Sequence, residues 1–232
     1  MLAVRALVVD FDGTACLQDV SEVLLAAFCE PGWEAYDEAV DRGEMGLREA
    51  ARHQAAMLHG SREEMLAHAL AHAELDPTFP PFVAWAQERG LPLELVSDGF
   101  AFYIRPILER AGLGHLPVVT NEMVFDGRPR LRHPNGHPEC VGCRTCKMLA
   151  VQRLRESAGP VAFVGEGQSD RYGALYADVV FAKDALVRIC ERDGVPYRPW
   201  RTFDDVRVEL EALRELPGPV APARCPGWLA SA

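Results

Sequence analysis

Lysine is scarce in this chain of 232 residues, and basic charge as a whole is in deficit. Of the 24 basic residues only Lys147 and Lys183 are lysines, and the formal net charge is −10. Nucleic-acid phosphates need a basic protein face, so this balance argues against a nucleic-acid partner. It also repels an anionic substrate, unless a metal ion and local cations reverse the field at the binding site.

Long apolar runs are absent as well. Near the N-terminus the longest is Ala6-Leu7-Val8-Val9, whereas a membrane span needs roughly 20 apolar residues. No basic stretch followed by a long apolar run marks a signal peptide. We therefore expect no membrane partner and a cytoplasmic location, and the sequence leaves the oligomeric state open.

The cysteines are odd in number, seven in all, in a chain too long to depend on a disulfide scaffold. Three of them cluster as Cys140, Cys143 and Cys146, with His137 shortly before. Thiolates and an imidazole at short spacings suit a structural zinc ion, but two overlapping Cys-x-x-Cys steps are not a common finger spacing. Free thiols are the favoured interpretation, followed by structural zinc and then by a labile disulfide.

The order of apolar patterns predicts an α/β protein. Residues 4–9 form an apolar, β-branched run that is typical of a buried parallel strand. About seventy residues of helical periodicity follow, and strands and helices alternate again after Gly90. We predict a doubly wound, Rossmann-like parallel sheet with an inserted small helical cap. The predicted boundaries are 1–15 and 91–216 for the core, 16–90 for the cap and 217–232 for a Pro/Gly-rich, poorly ordered tail.

Polar residues follow three of the predicted strands. They are Asp10-Phe11-Asp12, Ser97-Asp98-Gly99 and residues 165–170. Each segment alone also fits a turn or a helix cap. The C-terminal ends of strands in a doubly wound sheet converge on one crevice, so we expect the three segments to meet there. Their oxygen ligands suit a hard cation such as Mg²⁺ better than zinc.

In this order the segments resemble the motifs of the haloacid-dehalogenase-like phosphatases, in the branch with a small helical cap. Asp10-Phe-Asp-Gly-Thr14 is similar to the first motif, Ser97 to the second, Lys147 to the third and Gly165-Glu-Gly-x-x-Asp170 to the fourth. The resemblance covers about the first 215 residues. It implies a Mg²⁺-dependent phosphomonoesterase that acts through an aspartyl-phosphate.

The resemblance also implies catalytic roles. Asp10 would attack phosphorus, and Asp12 would protonate the leaving oxygen and then deprotonate the attacking water. Lys147 would neutralise the transferring group; in a chain so poor in lysine, its presence indicates a place where a guanidinium is too large. The implied phosphoryl- and substrate-binding residues of the core are Ser97, Asp98, Gly99 and Lys147.

The implied Mg²⁺ ligands are Asp10, the backbone carbonyl of Asp12, and the acidic residues Glu166 and Asp170. Relatives usually carry Asp where this chain has Glu166. The extra methylene has to be accommodated within the near-octahedral geometry of Mg²⁺, which places metal preference and rate in question but not the class of reaction.

Two groups of relatives compete as guides to the substrate. Phosphoserine phosphatases usually carry Glu nine residues after the nucleophile, where this chain has Asp19. The 2-hydroxy-3-keto-5-methylthiopentenyl-1-phosphate phosphatases of methionine salvage have a Cys-rich stretch before the third motif and a Phe-Ala-(Arg or Lys)-Asp segment after the fourth. Residues 140–147 and 181–184 match that pattern, so the chain resembles the second group more closely. A small phosphorylated metabolite is the implied partner.

The cap is expected to supply specificity. The candidate residues are Asp19, Glu44 and Arg48, and an exposed helix face is the alternative interpretation of each. Two other functions remain open on this scaffold. One is a non-catalytic phosphate-binding protein, and the other is a phosphotransferase that passes the phosphoryl group to an acceptor other than water.

Overall fold

A seven-stranded, mostly parallel sheet forms the centre of the computed structural model, which describes residues 2–230. The strand order is β4-β3-β2-β1-β5-β6-β7, and only β4 runs antiparallel to its neighbour. The strands are β1 (Ala6–Val9), β2 (Leu93–Phe100), β3 (Val118–Val124), β4 (Arg130–Arg132), β5 (Val161–Gly165), β6 (Val179–Ala182) and β7 (Tyr197–Pro199).

α-Helices lie in every connection between these strands except that from β3 to β4, and five of them lie between β1 and β2. Those five are α1 (Val20–Phe28), α2 (Glu34–Asp41), α3 (Leu47–Met57), α4 (Arg62–His72) and α5 (Phe79–Glu88). The others are α6 (Ala101–Arg110), α7 (Lys147–Ala158), α8 (Arg171–Ala174), α9 (Asp184–Asp193) and α10 (Phe203–Ala212). Within residues 2–230, no helix has the length and apolar character that crossing a membrane requires.

Apolar side chains on both faces of the sheet produce the two-sided core. Along β1, Leu7 and Val9 point to one cluster and Ala6 and Val8 to the other, as the two-residue period of a strand requires. The first cluster includes residues of α5, α6 and α10, and the second includes residues of α7 and α9. The predicted α/β fold, a doubly wound sheet with inserted cap helices, is confirmed.

Within the insertion, α5 differs from α1–α4 in what it contacts. Phe79 and Phe82 of α5 pack against Phe203 of α10, with ring centroids 4.9 and 5.2 Å apart. The last inserted helix therefore lies on the sheet core. The predicted domain boundaries themselves stay a prediction.

The chain after α10 lies against the core and against the cysteine-rich loop. The backbone N–H of Gly218 donates to the carbonyl of Asp178 at 3.1 Å, and that of Ala221 to Leu175 at 2.8 Å. Val141 N donates to the carbonyl of Leu229 at 2.8 Å. Composition predicts poor order for residues 217–232, and these three hydrogen bonds are among the contacts that the structure gives the segment through residue 230; residues 231 and 232 lie outside the described chain.

The central position of β1 in the sheet determines where the site lies. β1 pairs in parallel with β2 on one side and with β5 on the other. The segments that follow Val9, Val96 and Gly165 therefore emerge next to one another at the C-terminal edge. The β2–β3 register shifts between Val96 and Phe100, at the second of these segments.

Close packing around Gly173 in α8 holds the start of α7 against the sheet. A Cβ at Gly173 would collide with the ring of Phe163 and lie 3.1 Å from the Cβ of Lys147. We expect Gly173→Ala to lower the free energy of unfolding by about 1–3 kcal/mol, because the crowded core has to shift. Urea or thermal unfolding measures the change.

Gly167→Ala is the matched control, since a Cβ there meets no atom within 4 Å and φ is −127°. The free energy of unfolding of this variant should change by less than about 0.5 kcal/mol. Equal losses in the two variants would contradict the packing argument.

Candidate active site

Two of the three polar segments meet at the ammonium group of Lys147, the first residue of α7, and the third, residues 97–99, joins them through Asp12. Lys147 Nζ lies 2.6 Å from Asp10 Oδ1 and 2.6 Å from Asp170 Oδ1, and it donates to Ser169 Oγ at 3.0 Å. The Lys147 side chain is only 1% exposed. Burial lowers the pKa of Lys147, but the carboxylates of Asp10 and Asp170 outweigh it, and the pKa is raised.

Asp10 follows β1 and presents one carboxylate oxygen to Lys147. Its other oxygen, Oδ2, receives no hydrogen bond from any residue between 2 and 230. Burial and the Asp170 charge raise the pKa of Asp10, against the lowering effect of Lys147. The arrangement leaves one oxygen of a buried, oriented carboxyl group unoccupied by protein donors.

The Asp12 carboxyl group points away from Lys147 and towards the cap. Its Oδ2 accepts hydrogen bonds from Tyr103 Oη at 2.9 Å and Ser97 Oγ at 3.2 Å, and its Oδ1 accepts from Val20 N at 3.0 Å. Burial, and next the charge of Asp19, raise the pKa of Asp12 to about 7. A carboxyl group with this pKa exchanges a proton near neutral pH, as general acid–base work requires.

The C-terminal end of β2 has no room for a larger residue at Gly99. A Cβ there would collide with Tyr103 Oη and Asp12 Oδ2. Ser97 Oγ accepts from Gly99 N at 2.8 Å while it donates to Asp12. Asp98 Oδ1 accepts from Thr145 N at 2.8 Å. Asp98 therefore connects this segment to the loop before Lys147.

Carboxylate oxygens of Asp10, Glu166 and Asp170 all lie within 4.8 Å of one another. Burial, and next the Asp170 charge, raise the pKa of Glu166 to about 7. Lys147 supplies one positive charge to these three acidic groups, so a divalent cation would relieve the remaining repulsion. An oxygen-only donor set with excess negative charge fits a hard ion such as Mg²⁺.

The carboxylates of Asp170 and Glu166 in this acidic cluster have different surroundings. Asp170 Oδ2 accepts from the N–H groups of Glu166 and Gly167 at 2.8 and 3.0 Å, so its oxygens already have partners. The longer Glu166 side chain lies over Gly13, where an added Cβ would be 3.0 Å from Glu166 Cδ. Gly13 thus gives room for the extra methylene. The Asp12 side chain is outside the cluster.

The predicted cap residues occupy three different settings. Asp19 accepts from Glu22 N at 2.9 Å as the N-cap of α1, and its charge reaches Asp12. Glu44 is exposed, and its carboxylate accepts from Arg42 at 3.0 and 2.9 Å. No contact in the described chain joins Glu44 to the motif side chains. Arg48 Nε donates to the carbonyl of Cys143 at 3.0 Å, so this cap residue binds the cysteine-rich loop.

The structural zinc site considered for His137 and three cysteines is not supported. Within residues 2–230, the acidic trio around Asp10 is the one group of three metal-ligating side chains that converges. His137 Nδ1 accepts from Glu139 N and Cys140 N, each at 3.1 Å, and Cys140 Sγ accepts from Leu229 N at 3.3 Å. His137 Nδ1 and Cys140 Sγ thus already have backbone partners, and all seven cysteines are free thiols.

Sequence reasoning missed two polar side chains beside the site. Tyr103 lies in the first turn of α6, and its hydroxyl group binds both Asp12 and Ser21. Arg144 precedes Thr145 and lies with its Nε 3.5 Å from Asp98 Oδ2. The available signal was a tyrosine among apolar residues one turn after the second motif. For Arg144 nothing in the sequence separates it from the other arginines.

Comparison with known proteins agrees with this geometry. A family model described as haloacid dehalogenase-like hydrolase matches residues 7–174. A 2-hydroxy-3-keto-5-methylthiopentenyl-1-phosphate phosphatase from Brevibacillus brevis is 30% identical over 210 residues, covering 89% of this chain and 95% of the relative. One from Geobacillus kaustophilus is 30% identical over 211 residues, with 89% and 94% covered.

Two further similarities differ in what they cover. The bifunctional enzyme MtnB/MtnX of Bacillus licheniformis is 31% identical over 217 residues. The match covers 90% of this chain but only 50% of the length of that enzyme. A solved phosphoserine phosphatase with a phospho-aspartyl intermediate analogue has a TM-score of 0.69 at 16% identity, with 91% of this chain and 99% of that chain covered. The latter shows a shared fold.

The extent of the family match, together with relatives at 30% identity over nearly their full length, establishes the family. The chain belongs to the haloacid dehalogenase-like hydrolase family, and within it the chain is a phosphoric monoester hydrolase.

Proposed function

We propose that the protein is a Mg²⁺-dependent phosphatase that acts through an aspartyl-phosphate on Asp10. The observation that carries the proposal is the position of Lys147, which holds Asp10 Oδ1 at 2.6 Å while Asp10 Oδ2 lacks a protein donor. An oriented carboxylate oxygen beside a buried cation suits attack on a phosphate monoester, whose negative charge otherwise repels a nucleophile.

In the first step, Asp10 Oδ2 forms a bond to phosphorus while the bond from phosphorus to the ester oxygen breaks. Asp12 gives its proton to that leaving oxygen, and the hydroxyl group of Tyr103 and the N–H of Val20 stabilise the Asp12 carboxylate that results. In the second step, Asp12 takes a proton from water, and the water oxygen attacks phosphorus. The bond between phosphorus and Asp10 breaks, which returns both carboxyl groups to their starting states.

Asp10, Glu166 and Asp170 would hold Mg²⁺, with the Asp12 carbonyl as a further oxygen ligand. The bound ion supplies positive charge that neutralises the phosphoryl oxygens. Lys147 contributes the same kind of stabilisation from the protein, and Ser97 offers its hydroxyl group to a phosphoryl oxygen.

For the substrate, we propose a small phosphorylated metabolite of the 2-hydroxy-3-keto-5-methylthiopentenyl-1-phosphate type. Relatives that carry this name match the chain over about nine-tenths of its length. Phosphoserine is the second candidate, because solved phosphoserine phosphatases share the fold. Asp19 stands near Asp12, where phosphoserine phosphatases usually carry Glu.

A screen of phosphorylated metabolites with Mg²⁺ tests this assignment. We expect kcat/KM for the methylthio keto phosphate to exceed that for phosphoserine by on the order of 100-fold, a typical discrimination between poorly and well fitted substrates. EDTA should abolish phosphate release, and added Mg²⁺ should restore it. A preference for phosphoserine would contradict the substrate proposal alone, and EDTA-resistant turnover would contradict the metal proposal.

Asp10→Asn tests the nucleophile. The amide keeps the size of the side chain but cannot attack phosphorus, so we expect kcat for an aryl phosphate to fall on the order of 10⁴-fold or more. Asp126→Asn is the control, because Asp126 is exposed between β3 and β4 and pairs with Arg130. Full activity in Asp10→Asn would exclude the mechanism.

Asp12→Asn tests the proton donor through the leaving group. An alkoxide leaves poorly without a proton, whereas an aryl oxide with a low pKa leaves unaided. We expect kcat/KM for an alkyl phosphate to fall by about 10²–10⁴-fold, and kcat/KM for an activated aryl phosphate to fall much less. Equal losses on both substrates would show that Asp12 does not protonate the leaving oxygen.

A further inference from the structure

A small cavity lies between the cap helices and the edge of the sheet, beside the site. Its apolar walls include Leu24 of α1, Ala55 of α3, Met65 of α4 and Leu131 of β4. Its volume of about 20 Å³ is room for one or two groups of the size of a water molecule or a methyl group. No Asp or Glu occurs among the described residues that line it.

Hydrogen bonds connect this cavity to the Asp12 carboxyl group. Ser21 lines the cavity, and its Oγ lies 2.9 Å from Tyr103 Oη. Tyr103 in turn donates to Asp12 Oδ2 at 2.9 Å. Since Asp12 faces the leaving oxygen in the proposed reaction, the cavity lies on the side of the substrate that departs from phosphorus.

Arg144 also lines the cavity, and its donors are not all satisfied. Arg144 Nε is buried and forms an ion pair with Asp98 Oδ2 at 3.5 Å, but neither of these two atoms makes a hydrogen bond within residues 2–230. A buried donor without an acceptor is unfavourable, and native structures rarely keep one without a use. A ligand oxygen in the cavity would give the Arg144 guanidinium group a hydrogen-bond acceptor.

The loop around Arg144 is fixed on both sides. Thr145 N donates to Asp98 Oδ1, and Thr145 Oγ1 donates to the Ser97 carbonyl, both at 2.8 Å. The preceding carbonyl, that of Cys143, accepts from Arg48 of α3 at 3.0 Å. Arg144 is thus held between the phosphoryl-binding segment and the cap, the position of a residue that distinguishes substrates.

We propose that this cavity binds the unphosphorylated end of the substrate and that Arg144 determines specificity there. The occupant is a phosphate ester with an uncharged apolar tail, and a carbonyl or hydroxyl oxygen close to the phosphate accepts a hydrogen bond from Arg144. The inference rests on the proposed phosphatase function. An ammonium group in the cavity would lie among apolar walls and beside a guanidinium, which disfavours a phosphorylated amino acid.

A series of straight-chain 2-oxoalkyl phosphates tests the cavity in the unmodified enzyme. We expect kcat/KM to rise by on the order of 10-fold or more as the tail lengthens enough to reach the cavity, and then to stop rising. A flat series, or a preference for phosphoserine over every member, overturns the inference. Hydrolysis of a generic aryl phosphate, measured in parallel, shows separately whether the proposed phosphatase function holds.

Ala55→Leu fills the cavity, and Ala56→Leu is the matched control. Both residues lie in α3, but Ala55 is 4% exposed and lines the cavity, whereas Ala56 is exposed outside it. We expect the ratio of kcat/KM for the long-tailed and the shortest oxoalkyl phosphate to fall by on the order of 10-fold in Ala55→Leu only. An unchanged ratio in a folded Ala55→Leu, or the same fall in both variants, overturns the proposal.

Arg144→Met and Arg144→Lys test the polar contact. The measured quantity is the preference for a 2-oxoalkyl phosphate over the plain alkyl phosphate of equal length. We expect Arg144→Met to lose this preference by on the order of 100-fold, mainly through a higher KM, and Arg144→Lys to retain part of it. Equal effects of Arg144→Met on both esters would assign Arg144 a purely structural role and overturn its part in specificity.

Discussion

Lys147 places a positive charge in a position that is 1% exposed, between the carboxylates of Asp10 and Asp170. A buried charge is tolerated only when it is paired, and removing one partner of such a pair typically costs about 3–5 kcal/mol. The ends of β1, β5 and α7 must therefore stay together. Asp170 also fixes the loop after β5 through the N–H groups of Glu166 and Gly167.

A second set of contacts extends this arrangement from the core to the cap. Asp12 receives hydrogen bonds from Ser97 and Tyr103 of the core and from Val20 N at the start of α1. The proposed acid therefore has its correct surroundings only when α1 lies against the sheet. The same contacts exclude water from Asp12, and burial is the largest cause of its raised pKa. Cap position and proton transfer are thus physically coupled.

The parts of the site that sequence predicts are those with a local signal. Asp10 and Glu166 follow strands and Ser97 lies in the C-terminal half of β2, and parallel strands direct their C-terminal ends to one edge, so topology alone brings these residues together. Lys147 could also be singled out because lysine is rare in this chain. In the fourth motif, Asp170 accepts N–H groups of its own loop, and the regular helix that follows spans only Arg171–Ala174.

What sequence could not predict depends on contacts between distant segments. Glu44 was a reasonable cap candidate, yet Arg42 two residues away binds its carboxylate. His137 and the cysteines are residue types that bind zinc, but Cys140 Sγ accepts a hydrogen bond from Leu229 N, which is distant in the sequence. Arg144 is one of many arginines until the fold places it between Asp98 and the cap.

Trapping the phosphoenzyme tests the central claim, that Asp10 held by Lys147 is the nucleophile. An Asp12→Asn enzyme is mixed with an activated aryl phosphate and Mg²⁺, quenched in acid and digested for peptide mass spectrometry. The account predicts a phosphoryl group on Asp10, because the aryl oxide leaves without a proton and the intermediate then lacks a base for its hydrolysis. A phosphoryl group on any other residue, or phosphate release with no phosphoenzyme at any time, would contradict it.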